Sequence, residues 1–146
     1  MTTDEAHFAA LEGAFYAAPI NEFFSPTIHV EYGTAKIELE VIGGFHHSGR
    51  SVHGAVLFKM LDDAAFFAAC SLEKEFFMAT SAFTTYFLRP AAAGSLRATG
   101  KVLSRTNSQV VAEAVVYDSE AKEIARGSGV FMRTRDRLED VPGYQE

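Results

Sequence analysis

The chain has 146 residues and lacks tryptophan altogether, and it contains four prolines and a single cysteine. One cysteine excludes an internal disulfide and every metal site that needs several thiolates. No apolar run free of charges reaches the length of about 20 residues that a bilayer-spanning helix needs. A signal peptide would need basic residues where Asp4 and Glu5 stand. These absences favour a cytoplasmic protein without a membrane partner.

Basic residues are also scarce, since 13 Lys and Arg face 19 Asp and Glu and the formal net charge is −6. Binding to a nucleic-acid backbone requires clustered basic side chains, so nucleic acid is excluded as a partner. A small anionic ligand stays open, because a few local arginines suffice to bind one.

Apolar residues, in contrast, are abundant: they make up 48% of the chain, and 13 of them are phenylalanines. A single domain of this length can bury a sizeable core, but the apolar fraction is high for a small monomer. We therefore expect part of the surface to be covered by another copy, in a homodimer or a homotetramer.

The hydrophobic pattern predicts one α+β domain over residues 1–146. A helix over residues 3–18 should end before Pro19, and a strand region follows Pro26, where Ile37, Leu39 and Val41 alternate with polar residues. Four further strands are predicted at residues 76–88, 95–103, 109–117 and 123–133, which gives five strands in all. The charged tail after residue 136 is expected to be loose.

The most informative segment runs from His53 to Cys70 and reads as a long, mostly apolar helix. Two adjacent carboxylates, Asp62 and Asp63, lie in its middle, where an acid is costly unless it is paired or used. The start of the helix, at Gly54, offers free backbone N–H groups and a positive dipole end, which suit a developing oxyanion. One helix thus carries half of an active site.

Three motifs together resemble one family. His53-Gly54, followed by Asp62 and then Ala64, resembles the HGG-x-x-x-x-L-x-D-x-A signature of hotdog-fold acyl-CoA thioesterases of the phenylacetate-pathway (PaaI-like) family. The segments TTYFLRPAAAG, starting at Thr84, and IARGSGVFM, starting at Ile124, resemble two strands of that family. The resemblance implies an antiparallel sheet wrapped around one long central helix, and hydrolysis of an acyl-CoA thioester without any cofactor beyond the coenzyme A of the substrate.

The resemblance also implies roles for individual residues. Asp62 would activate water or attack the thioester carbonyl, while the Gly54 N–H, with His53 beside it, would polarise the carbonyl oxygen of a site shared by two subunits. Thr80 falls where the family carries Ser or Thr facing the Asp. His47 replaces the family's Asn fifteen residues before the Asp, and it would position the substrate or water or serve as an extra base.

The family's coenzyme A moiety lies along a strand end and a turn. Their counterparts here are Arg89-Pro90 and Ser104-Arg105-Thr106-Asn107, where arginine suits bidentate phosphate contacts.

Several of these residues also admit purely structural interpretations. Asp63 lies four residues after Lys59 and fits an ordinary salt bridge, and His53 fits a hydrogen-bonded loop histidine. The histidines match no metal-ligand spacing, so no metal is expected. Cys70 fits an inert packed thiol. Two alternatives to the thioesterase stay open: a non-catalytic module that binds acyl-CoA or an aromatic ligand, and a hotdog hydratase.

Overall fold

The structure is a computed structural model that describes residues 3–145. Its helices and strands are α1 (Asp4–Ala17), α2 (Pro19–Phe24), β1 (Thr27–Glu31), β2 (Thr34–Glu40), α3 (Gly54–Cys70), β3 (Phe76–Phe87), β4 (Ser95–Arg105), β5 (Gln109–Tyr117) and β6 (Glu123–Arg137). The strands form one antiparallel sheet of order β1-β2-β4-β5-β6-β3. The predicted α+β architecture, an antiparallel sheet around one long helix, is confirmed.

The first helix forms as its sequence predicts. The side chain of Thr3 caps its N-terminus by accepting a hydrogen bond from the Ala6 N–H at 3.1 Å, and Asp4 and Glu5 occupy the first turn. The helix ends before Pro19, where Ala18 turns to an extended conformation. Pro19 then begins the short helix α2, which the sequence analysis did not predict.

The predicted count of five strands is wrong, because the first strand region is a hairpin of two. β1 and β2 are joined by a turn at Tyr32 and Gly33, and Gly33 has a φ of +75°, a conformation that glycine adopts without strain. Two other strands are longer than predicted, since β4 continues to Arg105 and β6 continues to Arg137.

Helix α3 packs across the strands of the sheet and positions the site. Its buried side chains include Leu57, Met60 and Leu61, together with a row of alanines. The helix backbone approaches β4 closely: a Cβ at Gly100 would lie 2.0 Å from the carbonyl oxygen of Ala64. Glycine at position 100 therefore fixes how deeply the helix lies in the sheet.

The prediction of a loose tail after residue 136 is wrong. Leu138 and Tyr144 are buried, and the Tyr144 hydroxyl lies 2.7 Å from Nδ1 of His7 on α1. Gly143, with a φ of +85°, lies directly against Gly13 of α1. The two buried side chains, Leu138 and Tyr144, hold the segment in place. Because they are only two and charged residues lie between them, the sequence shows no hydrophobic period that would predict these contacts.

Candidate active site

The carboxylate of Asp62 and the hydroxyl of Thr80 meet where α3 passes the edge strand β3. Thr80 Oγ1 donates a hydrogen bond to Asp62 Oδ1 at 2.9 Å. In the register of the sheet, Thr80 lies opposite the buried Phe131, so both side chains face the helix. The pairing of these two residues, predicted from the sequence, is present, and one hydrogen bond fixes the orientation of the carboxylate.

Burial raises the pKa of Asp62 above its ordinary value, because the charged form loses water. The Thr80 hydrogen bond lowers that pKa, the neighbouring Asp63 raises it, and Lys59 lowers it. The net effect is a carboxyl group with a raised pKa at the wall of a cavity, a combination common among catalytic acids and bases.

Asp63 is engaged elsewhere. Its Oδ2 accepts from Lys59 Nζ at 2.6 Å, which confirms the predicted i,i+4 ion pair, and Lys59 also donates to Asn21 Oδ1 of α2 at 2.7 Å. The ammonium lies over the rings of Phe15 and Phe24, 5.7 and 5.1 Å from their centroids. The two adjacent acids thus make different contacts. Asp63 links α3 to α2 through Lys59, whereas Asp62 faces Thr80.

The N-terminus of α3 leaves one donor available. The ring of His53 caps the helix, since its Nδ1 accepts from the Ala55 N–H at 2.9 Å, and the His53 carbonyl accepts from the Val56 N–H. Within residues 3–145, the Gly54 N–H makes no comparable hydrogen bond. His53 is thus a hydrogen-bonded capping residue, and Gly54 is the donor suited to an incoming oxygen.

A cavity of about 360 Å³, separate from the one beside Asp62, surrounds Gly54. It brings together three other residues singled out from the sequence, His47, Arg89 and Pro90, with the side chain of Phe87 beside them. His47 Nδ1 accepts from the Gly49 N–H at 2.8 Å, and Arg89 donates to the carbonyl of Glu123 at 3.0 Å.

A third group lies at the β4–β5 turn, where Arg105, Thr106 and Asn107 line a cavity of about 380 Å³ with Arg133. Ser104, predicted with them, lies on β4 and outside this cavity. Arg133 was not predicted, because it is the last residue of the strand expected at residues 123–133 and its sequence position marks it only as polar, whereas β6 continues to Arg137. It pairs with Glu73 at 2.6 Å and its guanidinium stacks on a phenylalanine ring.

These three groups stay apart within one chain. Gly54 and Asp62 are eight residues apart on α3, which amounts to about 12 Å at 1.5 Å per residue. The Arg89 end of the sheet borders Ile124, and the β4–β5 turn borders Arg133. These two positions on β6 are about 30 Å apart at 3.3 Å per strand residue.

A cavity of about 790 Å³ extends along α3 beside Asp62 and Thr80. Its walls are mostly apolar and come from α1, α2, α3, the start of β3 and the C-terminal segment. Phenylalanines of α3 and β3 contribute to these walls. The contribution of α1 and the C-terminal segment was not predicted from the sequence, because their contact with the helix is a property of the tertiary structure alone.

Cys70 is buried, which confirms that its thiol is packed in the core, and burial raises the pKa of that thiol. Among residues 3–145, no three His, Cys, Asp or Glu side chains form a group that could hold a metal ion. No helix in the same range has the length and apolarity that crossing a bilayer requires.

The sequence model of the thioesterase superfamily matches residues 49–125, which include the start of α3, Asp62, Thr80 and Arg105. The chain belongs to the thioesterase superfamily. The predicted family resemblance is therefore confirmed at this level, and membership supports hydrolysis of thioesters or esters.

Comparisons with other proteins agree with this placement. A Saccharolobus solfataricus protein named as a "putative esterase" is 27% identical over 110 residues, covering 74% of this chain and 79% of that protein. The PaaI protein of the E. coli phenylacetic acid degradation operon superimposes with a TM-score of 0.83 at 21% identity, covering 93% of this chain and 99% of that one.

A thioesterase-superfamily protein of Shewanella oneidensis gives a TM-score of 0.82 at 16% identity, with 90% of this chain and 97% of that one covered. At these identities the structural likeness establishes the fold, and the predicted hotdog fold is confirmed.

Proposed function

We propose that this thioesterase-superfamily chain hydrolyses an acyl-CoA thioester to the free acid and coenzyme A. The observation that carries the proposal is the Asp62 carboxylate, held by Thr80 at the wall of a large apolar cavity. An apolar cavity suits an acyl group, and a carboxylate at its wall suits the reaction of that group's carbonyl carbon.

In the proposed reaction, Asp62 acts in its ionised form. It takes a proton from water as the water oxygen bonds to the carbonyl carbon, or its own oxygen attacks that carbon and water then cleaves the acyl-enzyme. The carbon–sulfur bond breaks in either route. In the first route the proton that Asp62 took from water passes to the departing thiolate, and in the second the thiolate receives a proton of the water that cleaves the acyl-enzyme. Thr80 keeps one carboxylate oxygen in place, which leaves Oδ2 directed to the reaction.

The Gly54 N–H would stabilise the negative charge on the thioester oxygen. It lies at the positive end of the α3 dipole and, within the described residues, has no acceptor. Because Gly54 and Asp62 of one chain are about 12 Å apart along the helix, the donor and the carboxylate of one site would come from two subunits.

The edge strand β3 is the proposed dimer contact. Its 12 residues, FFMATSAFTTYF, contain no charge and no proline, although a free edge normally carries such protection. The Gly54 site borders its end, where a Cβ on Gly54 would meet Phe87, and the Asp62 site borders its first half at Thr80. Antiparallel pairing of two β3 strands about Phe83 and Thr84 therefore brings each Gly54 toward the partner's Asp62.

The same pairing would complete a coenzyme A site. Arg89 and Pro90 follow the end of β3, and the turn with Arg105 lies at its beginning. Two antiparallel β3 strands place the first of these groups of one subunit beside the second group of the other. Arg89, Arg105 and Arg133 are then candidates for the phosphates of coenzyme A.

The activity is tested by release of free thiol from a panel of aromatic, short-chain and long-chain acyl-CoAs. We expect turnover of at least one class, and a loss on the order of a hundredfold or more in Asp62→Asn. Asp63→Asn is the matched control and should remain within about tenfold of wild type. Hydrolysis at a near-normal rate by Asp62→Asn would rule out the proposed mechanism.

A non-catalytic acyl-CoA-binding module is the second candidate, and the large apolar cavity favours it equally. Calorimetry with a non-hydrolysable thioether analogue of acyl-CoA separates the two. Binding without turnover of any panel member by the wild type supports the binding module, whereas turnover that Asp62→Asn abolishes supports the enzyme.

The proposed dimer is tested by cross-linking. Thr84→Cys places an exposed thiol at the centre of β3, and the only native cysteine is buried. A short bis-maleimide should join two Thr84→Cys chains efficiently and should fail with Thr27→Cys on the opposite edge strand. Equal cross-linking of both variants would contradict pairing through β3.

A further inference from the structure

We infer that the C-terminal segment, residues 138–144, forms the end wall of the acyl cavity and sets the longest acyl chain that the site accepts. The inference rests on the proposed function, because the acyl-CoA of that proposal is taken as the ligand of the cavity. The segment joins the cavity through Leu138, Val141 and Pro142, which line it together with α1 and the last turns of α3.

The two halves of the cavity differ in polarity. Toward the start of α3, the Lys59–Asp63 ion pair and the side chain of Asn21 lie in the wall. Toward the end of α3, the wall consists of Phe66, Phe67, Cys70, Phe77, Met78 and the C-terminal segment. An apolar acyl chain that extends from a carbonyl at Asp62 gains more from the second half, because it displaces no hydrogen-bonded charge there.

The depth of this half is limited by the fold. Asp62 and Cys70 are eight residues apart on α3, so the apolar half extends about 12 Å from the carboxylate along the helix axis. The C-terminal segment lines this half through Leu138, whose N–H donates to the carbonyl of Glu75 just before β3, and it continues along the cavity to α1, where Gly143 lies against Gly13 and Ala17. A chain longer than this depth would have to displace the segment.

The segment is fastened at its far end and is therefore able to act as a wall. The hydroxyl of Tyr144 lies 2.7 Å from Nδ1 of His7, and Nε2 of the same ring lies 2.9 Å from the carbonyl oxygen of Cys70, the last residue of α3. Gly13 and Gly143 are in such close contact that a Cβ on Gly13 would lie 2.4 Å from the Gly143 carbonyl oxygen. One buried histidine thus joins α1, α3 and the segment.

The experiment compares profiles of kcat/KM against chain length for saturated acyl-CoAs. Val141→Phe fills the end of the cavity, and we expect it to lower kcat/KM for the longest chains that wild type accepts by about tenfold or more while short chains change little. Val141→Ala and Tyr144→Phe, which widen the end and loosen its fastening, should raise the relative rate for chains beyond the wild-type limit. Asp140→Ala, an exposed change on the same segment, is the control.

A second readout does not depend on turnover. The affinities of thioether analogues of graded chain length, measured by calorimetry, should show the same displacement of the length limit. If wild type hydrolyses no acyl-CoA, the proposed function fails, and the affinities still decide on the end wall. A length profile that Val141→Phe and Val141→Ala both leave unchanged in rate and affinity overturns the inference, as does an equal loss at every length.

Discussion

Thr80 Oγ1 donates to Asp62 Oδ1 at 2.9 Å, and this hydrogen bond joins the long central helix to the edge strand of the sheet. It is also the strongest influence that lowers the pKa of Asp62 against the effect of burial. One contact therefore fixes the orientation of the acid on which the proposed reaction depends and also favours its ionised form.

The first prediction concerns the acid limb of the pH–rate profile. Thr80→Val removes the hydrogen bond that favours the ionised carboxylate, so the pKa of Asp62 rises further. Because the reaction needs the ionised form, the fall of kcat/KM in acid should begin at higher pH than in wild type. Thr27→Val, the same change at an exposed site of the opposite edge strand β1, should leave the limb in place. An acid limb that Thr80→Val does not move would separate Thr80 from the ionisation of Asp62.

The second prediction moves the acid limb in the opposite direction. Asp63→Asn removes the negative neighbour that raises the pKa of Asp62, and it releases Lys59, whose charge lowers that pKa. Both effects favour the ionised form, so the acid limb should move to lower pH. The measurement is kcat/KM against pH for both proteins at equal ionic strength. A move to higher pH would show that the ion pair supports Asp62 in another way.

The third prediction concerns stability. Because burial raises the pKa of Asp62 above its value in the unfolded chain, its ionisation favours unfolding. The contribution of Asp62 to the free energy of unfolding declines as the pH rises through the pKa of Asp62 in the unfolded chain and then through its pKa in the folded chain. Above both values this contribution is unfavourable. At pH 7.5, Asp62→Asn should therefore unfold at the same or a higher urea concentration than wild type, and the difference should shrink near pH 4. A loss of more than about 1 kcal/mol at pH 7.5 would contradict the sign of this linkage.

Sequence patterns were sufficient for the parts of this fold that rest on local periodicity. The long helix, its start at His53-Gly54 and the Lys59–Asp63 pair follow from spacing along one element. The second helix, the β1–β2 hairpin and the docked C-terminal segment depend on contacts with distant residues, such as His7 with Tyr144. The same limit applies to the site: Asp62 and Thr80 were named together, whereas Arg133 and the walls of the large cavity follow from how β6, α1 and the C-terminal segment pack.

The fourth prediction concerns His47, which lines the cavity around Gly54. Since its Nδ1 accepts from the Gly49 N–H, the neutral ring carries its hydrogen on Nε2 and can donate it to substrate or water. An asparagine amide also donates, so His47→Asn should retain substantial activity while His47→Ala loses it. Loss of activity in both variants would instead identify His47 as a proton carrier, because an asparagine amide cannot take up and release a proton.

The last prediction tests whether each site draws on two subunits. Gly54 is the first residue of α3, a position where proline fits and removes only the N–H, and His53 already has the extended backbone that a following proline needs. Gly54→Pro should therefore fold and lose most activity. Gly54→Ala adds the same Cβ beside Phe87 but keeps the donor, so it should stay active.

When Asp62→Asn and Gly54→Pro chains are unfolded, mixed in equal amounts and refolded, the mixed dimers hold one intact site: Asp62 from the Gly54→Pro chain and Gly54 from the Asp62→Asn chain. Half of the dimers are mixed, so recovery should reach at most about a quarter of wild-type activity. Each variant refolded alone should recover none. Absence of recovery in mixtures whose mixed dimers are demonstrated by mass would mean that Asp62 and Gly54 of a single chain serve the same site, and the pairing through β3 would then have no catalytic role.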